Sequence, residues 1–232
     1  MAPLSSTHPG HATWSAVDSY TESMLVHPDK VLEGALRDAE AAGMPPINVS
    51  PAQGQFLRLL AESVRAHRIL EVGTLAGYSA IWLARALPAH GRMVTIEIDP
   101  KHAAVAAGNI DRAGLTDRVD VRLGSALDIL PQLAAEGREP FDFVFIDADK
   151  QNIPAYFEWA LKLSHTGSLI IVDNVVRDGE VINAQSLDPS VQGVRALNNL
   201  IASNPHVKAT TIQTVGTKGY DGFTLALVVG AP

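Results

Sequence analysis

The chain has 232 residues, 47% hydrophobic and 19% charged, a balance that fits a folded globule with a sizeable core and excludes a disordered or collagen-like polypeptide. Its 18 Lys and Arg stand against 25 Asp and Glu, a formal net charge of −7, which argues against a sequence-independent nucleic-acid binder and against a membrane-surface protein. With no cysteine, disulfides, thiolate metal ligands, iron–sulfur clusters and a cysteine nucleophile are excluded.

Residues 1–15 read as a loose tail, small, polar and rich in Pro and Gly at its start. It shows neither a basic opening nor an apolar signal-type run, and stretches such as Ser168–Val172 and Thr224–Val229 are strand-length, so the expected location is the cytoplasm. Residues 16–66 read as N-terminal helices. Apolar residues recur at helical spacing at Val17, Tyr20, Met24 and Leu25, then at Val31, Leu32, Ala35 and Leu36, with Pro28 separating two short helices. Gly43-Met44-Pro45-Pro46 breaks the pattern. Ser50 then reads as an N-cap, with Pro51 at the first helical position and Gln53 at the capping-box position of a helix running to about Ala66.

From there the rhythm changes. Strand-like runs at Arg68–Val72, Met93–Ile98, Val119–Leu123, Phe141–Ile146 and Ser168–Val172 alternate with helical stretches at Tyr78–Leu87, Lys101–Ala113, Ala126–Glu136 and Ile153–Leu163. Alternation of this kind predicts a single α/β domain over 1–232, built on a doubly wound, Rossmann-like sheet that is mostly parallel. Val175–Gln192 reads as a lid with bends at Gly179 and Pro189, and Val191–Ser203 as a further helix. Val207–Gln213 and Phe223–Val229, joined by the turn-rich residues 216–222, predict an antiparallel hairpin at the C-terminal edge.

Ligands of such sheets sit beyond the carboxyl ends of the strands. The first strand ends Glu71-Val72-Gly73-Thr74-Leu75-Ala76-Gly77-Tyr78-Ser79. Gly73 and Gly77 permit a sharp turn and close backbone approach, but a dinucleotide fingerprint needs G-x-G-x-x-G and only two glycines stand here. Glu71 makes the mouth negative, repelling phosphate and suiting a cationic ligand. Glu97, at the neighbouring tip, suits the hydroxyls of a ribose. Singly, the glycines are an ordinary strand-to-helix turn and Glu97 a solvated acid. Together they favour a nucleoside bearing a cationic group.

The fourth and fifth strands also stop on acids, in Ile146-Asp147-Ala148-Asp149-Lys150 and Val172-Asp173-Asn174. Parallel strands in register bring such tips together, so two carboxylates and an amide would form an all-oxygen site suited to Mg²⁺ or another hard divalent cation. Lys150 is close enough in sequence to serve as a base there. Each acid alone is equally a helix cap or turn former.

At these residues the chain resembles the cation-dependent S-adenosylmethionine O-methyltransferases, a family of plant caffeoyl-coenzyme A enzymes, animal catechol enzymes and small bacterial members. The resemblance runs from Ile47 to Val229 and is carried by Glu71-Val72-Gly73-Thr74, Gly77-Tyr78-Ser79, Ile146-Asp147-Ala148-Asp149-Lys150, Asp173-Asn174 and Asp221-Gly222-Phe223-Thr224. It implies methyl transfer from S-adenosylmethionine to a hydroxyl of a catechol-type substrate, and a homodimer. It implies that Val49 lies along the methionine part of the cofactor, that Glu71, Gly73, Thr74 and Ser79 hold its amino-acid end, that Glu97 binds the ribose and that Ala126 lies beside the adenine. Asp147, Asp149 and Tyr156 are implied as further cofactor-side contacts, Asp147, Asp173 and Asn174 as metal ligands and Lys150 as the general base and substrate contact. Plant members carry Leu-Trp after the Asp-Asn pair. Here Val175-Val176-Arg177 follows, so Arg177 is expected at the substrate and a small or anionic catechol fits better than a coenzyme A ester. The rival readings are an NAD-binding oxidoreductase and a non-catalytic binding module on the same fold.

Overall fold

The apolar run Phe141–Ile146 forms β4, the middle strand of a seven-stranded sheet with the order β3-β2-β1-β4-β5-β7-β6. The structure, a computed structural model, describes residues 9–27 and 29–230. Around β4 lie β1 (Arg68–Val72), β2 (Arg92–Glu97), β3 (Val119–Leu123) and β5 (Ser164–Asp173), all parallel to it. The hairpin of β6 (Val207–Gly216) and β7 (Gly219–Val228) adds two antiparallel strands, with β7 against β5 and β6 at the edge.

Side chains of β4 alternate between two cores, as a strand buried on both faces requires. Phe143 and Phe145 pack with Leu32, Leu57, Ile81 and Ile110 under α2 (Lys30–Ala41), α3 (Pro51–Ser63), α4 (Tyr78–Ala84) and α5 (Pro100–Arg112). Val144 and Ile146 pack with Leu130, Phe157, Val194 and Leu197 under α6 (Ala126–Ala135), α7 (Ile153–Lys162) and α8 (Pro189–Ser203). At the N-terminal end of the sheet Asp142 of β4 pins its neighbours. Its Oδ2 accepts the backbone N–H groups of His67 (2.7 Å) and Arg68 (2.8 Å), and its Oδ1 lies 2.9 Å from His165 Nε2.

Several expected boundaries move. The tail is shorter than 15 residues, because α1 (His11–Leu25) already includes His11–Ser15; residues 1–8 and Pro28 lie outside the described residues. Ser50 does cap α3 through Gln53 N (3.1 Å), but the helix ends at Ser63. α8 begins at Pro189, capped by Asp188, so Pro189 opens the helix instead of bending the segment before it. The hairpin turn is tight: Gly216 pairs with Gly219 and only Thr217 and Lys218 span it. Among the described residues no helix is long and apolar enough to cross a membrane.

The register aligns the strand tips. Val72 lies opposite both Ile96 and Ile146, and Ile146 opposite Val172. The residues that follow, Gly73, Glu97, Asp147 and Asp173, therefore leave the sheet side by side.

Candidate active site

A cavity of about 650 Å³ opens over these tips, a volume suited to one small-molecule ligand set. Val49, Gly73, Thr74, Ser79, Glu97, Ala126, Asp147, Asp149, Lys150, Tyr156 and Asn174 line it; Glu71, Asp173 and Arg177 do not.

Gly73 is what lets the first two tips approach. It sits at φ +100°, and a Cβ there would stand 2.1 Å from the Asp147 carbonyl oxygen. Glu97 is buried and held on the cavity wall by backbone donors. Its Oε2 accepts from Leu75 N (2.8 Å) and Thr74 N (3.3 Å), and its Oε1 from Asp99 N (3.0 Å). Three donors leave about one further acceptor position on a carboxylate that can accept about four hydrogen bonds, enough for a ligand hydroxyl. Asp149 takes Asn152 Nδ2 at 2.6 Å and the Tyr156 hydroxyl at 2.5 Å, and that carboxylate together with burial keeps the Tyr156 phenol protonated well above its usual range.

Glu71 corrects an expectation. It does not charge the cavity mouth: it is wholly buried between β2 and β4, its Oε2 accepting from Thr95 Oγ1 (2.6 Å) and its Oε1 without a hydrogen-bond partner. Burial, with the Asp147 and Glu97 carboxylates adding to it, pushes its acid up to about 8, so it is mostly neutral at pH 7. An orphaned carboxyl oxygen one strand-end away from Gly73 is nevertheless a suitable partner for a ligand ammonium, whose arrival would restore the charge.

At the β4 and β5 tips the side chains converge. Lys150, 4% exposed, opens a 3-10 turn (Lys150–Asn152) and donates to Asp147 Oδ1 at 2.8 Å. Asp173 is buried behind it, and burial together with the Asp147 carboxylate raises its acid to about 7. Asn174 follows in the left-handed region at φ +56°, which turns it into the cavity. Among the described residues no three His, Cys, Asp or Glu side chains cluster; the donor set here is two carboxylates and an amide. Two neighbouring carboxylates with an amide beside them are a fitting seat for a hard cation.

Arg177 also departs from expectation. Asp221 Oδ1 accepts the N–H groups of Val176 (2.8 Å), Arg177 (3.0 Å) and Gly222 (2.9 Å), folding the segment after β5 back on itself. Arg177 stands at φ +57°, its side chain 13% exposed and its guanidinium 3.9 Å from Asp221 Oδ2, away from the cavity lining.

The family model described as O-methyltransferase matches residues 23–229. The chain belongs to the O-methyltransferase family. It is 55% identical over 215 residues to a catechol O-methyltransferase of Niastella koreensis, covering 93% of this chain and 97% of that protein. Among solved structures, an O-methyltransferase from Bacillus cereus in complex with SAH superposes with a TM-score of 0.92 at 58% identity, covering 94% and 99% of the two chains. TomG from Streptomyces achromogenes, an O-methyltransferase in complex with SAM, gives 0.93 at 50% identity, covering 96% and 100%.

Two parts of this O-methyltransferase site escape a reading of the sequence. Gln53 at the capping-box position makes no reciprocal cap; its Nε2 donates to Asp173 Oδ2 at 2.6 Å, across 120 residues of chain. Gly193 on α8 lies so close behind the 3-10 turn that a Cβ would stand 2.0 Å from the Lys150 carbonyl oxygen. The only sequence signals are a glutamine where glutamate would cap as well and a glycine in mid-helix, which is unfavourable unless packing demands it.

Proposed function

We propose that this O-methyltransferase carries a methyl group from S-adenosylmethionine to one hydroxyl of a small ortho-dihydroxy aromatic substrate, with a divalent cation, Mg²⁺ or similar, at the strand tips. The observation that supports it best is the convergence of Asp147, Lys150 and Asn174 on one end of a cavity whose other wall carries Glu97. In this reading Glu97, pre-aligned by three backbone donors, receives the ribose, and Val49, Thr74, Ser79 and Ala126 line the rest of the cofactor strip. The orphaned Glu71 Oε1 fits the cofactor ammonium. The NAD reading loses ground, because the Glu97 wall and the two-glycine turn offer no seat for a pyrophosphate.

Asp147, Asp173 and Asn174 would hold the cation, which when bound acidifies a hydroxyl and fixes an adjacent pair of oxygens. Lys150 is placed to accept the phenolic proton, and being buried it works away from bulk water. S-adenosylmethionine, when bound, would supply an activated methyl group, and the part of this chain would be to orient the acceptor hydroxyl and take up its proton at Lys150 Nζ. Orientation supplies most of the acceleration, since the leaving group is already activated. Arg177 is turned to Asp221 and is not among the residues that line the cavity, so it does not select for an anionic substituent.

The test is incubation with S-adenosylmethionine and a panel of catechols and mono-phenols, with Mg²⁺ or with chelator, reading product by mass. Methylation of catechols that chelator abolishes and Mg²⁺ restores is expected. Turnover unaffected by chelator would refute the cation, and methylation of mono-phenols alone would refute the substrate class. We also propose a homodimer, because α1 buries none of its 15 residues while leaving Tyr20 and Leu25 exposed beside an equally exposed edge strand β6. Light scattering that finds a monomer would overturn it.

A further inference from the structure

The far pole of the sheet, where the strands begin, carries a second cavity that the methyl-transfer reading does not use. Its volume is about 360 Å³ and its lining includes Arg68, Arg92, Arg118 and Arg138, with Asp117 and Asp120 the only acids. In a chain of net charge −7, four arginines against two aspartates make a local island of positive charge. Asp120 is already engaged by Arg122 Nε at 2.7 Å, and Arg138 by Glu136 at 2.9 Å.

The other three arginines are underused. Among the described residues no carboxylate oxygen lies within 4 Å of a guanidinium nitrogen of Arg68, Arg92 or Arg118, and the one side-chain hydrogen bond among them is Arg92 to its neighbour Gly91 O at 2.9 Å. Arg68 is held over the Phe141 ring, 5.1 Å from its centroid, and its Nε is buried without a partner. Burial and the facing Arg138 both press against its charge. A buried guanidinium N–H without an acceptor is costly, and so is the approach of two cations. A second hollow of about 260 Å³ shares Arg68, Arg138 and Phe141 and adds one cation, Lys162, and one acid, Glu139. Planar guanidinium groups converging on a hollow match oxyanions through paired N–H donors.

We infer that this pole is a binding site for a small oxyanion of two or more charges, phosphate- or carboxylate-bearing, held by Arg68, Arg92 and Arg118. The site is separate from the active cavity, since β1 places about 13 Å of strand between Arg68 and Val72. An anion there bridges the starts of β1, β2 and β3, so its binding stabilises the fold and leaves the methyl-transfer groups untouched.

Calorimetry and thermal unfolding of the full chain at low ionic strength, with pyrophosphate in one arm and citrate in the other, test this. At least one anion is expected to bind near one per chain, to raise the melting temperature and to weaken as salt is added. The better binder shows whether phosphate or carboxylate is preferred. Arg118→Gln and Arg92→Gln should each weaken that binding by about tenfold, a loss of about one charge-assisted hydrogen bond, while methyl transfer without the anion stays unchanged. Arg68→Gln should do the same where it folds. If neither anion binds, or if both are held as well by Arg118→Gln and Arg92→Gln as by the parent, the inference is wrong.

Discussion

Replacing Gly193 with alanine tests whether Lys150 is held in place from behind. The new Cβ would stand 2.0 Å from the Lys150 carbonyl oxygen and 2.8 Å from Gln151 Cα, where ordinary contact begins at 3.4 Å. The backbone of the 3-10 turn must therefore retreat from α8 by about 1.4 Å, the difference between the two carbonyl distances. Neither side has a flexible side chain to give way. A misplacement of about 1 Å at a reacting group costs roughly 100-fold in rate, so kcat should fall by about that factor. Overpacking should also cost about 1–3 kcal/mol of stability. Single-turnover assays followed by mass, with S-adenosylmethionine affinity measured by calorimetry, separate the effects: turnover collapses while affinity stays within a few-fold, because Gly73 follows β1 and Glu97 ends β2, away from the 3-10 turn. A Gly193→Ala enzyme that folds and turns over within threefold of the parent would refute the reasoning.

Gln53→Ala removes the donor to Asp173 Oδ2; Mn²⁺ affinity measured by calorimetry should fall roughly 10- to 100-fold, and unchanged affinity would place Gln53 outside the cation site. Glu71→Gln probes the buried acid. Since its folded value of about 8 lies above the ordinary 4.5, the native state keeps a proton that the unfolded chain has lost between those values, so stability falls as pH rises through that window. The variant, free of cofactor, should lose less melting temperature than the parent between about pH 6 and pH 9; parallel curves would contradict the assignment. Arg177→Ala should slow acidic and neutral catechols alike and lower the melting temperature, since it leaves the buried Asp221 Oδ2 with no cation near it. Selective loss of the acidic substrate would return Arg177 to the substrate pocket.

The strands were legible because their runs of Val, Ile and Phe stop on glycine or acid; β1, β3 and β4 have the boundaries that those runs predict. β5 begins at Ser164, four residues early, because His165-Thr166-Gly167 carries no apolar signal and is drawn into the sheet beside Phe141 through an irregularity in register. α1 reached back to His11 without warning, because the apolar spacing is read only from Val17 onward and none of His11–Ser15 is buried. At the site the strand-end residues could be placed from topology alone. Glu71 could not, because its neutrality comes from burial between the flanking strands β2 and β4, which outweighs the hydrogen bond that Thr95 donates to it. Arg177 could not either, because the turn that redirects it is made by Asp221, 44 residues later.

The start of α3 has a thermodynamic consequence. Within five residues it presents Val49 to the cavity, caps itself with Ser50 and grips Asp173 with Gln53. A ligand that presses on Val49 and a cation that draws on Asp173 act on one rigid helix end, also wedged by Gly54 against Trp82. Occupancy at either end is then felt at the other, and by linkage each affinity changes by the same factor. Such linkage is symmetrical and imposes no order of addition: whichever partner arrives first sets the helix for the second.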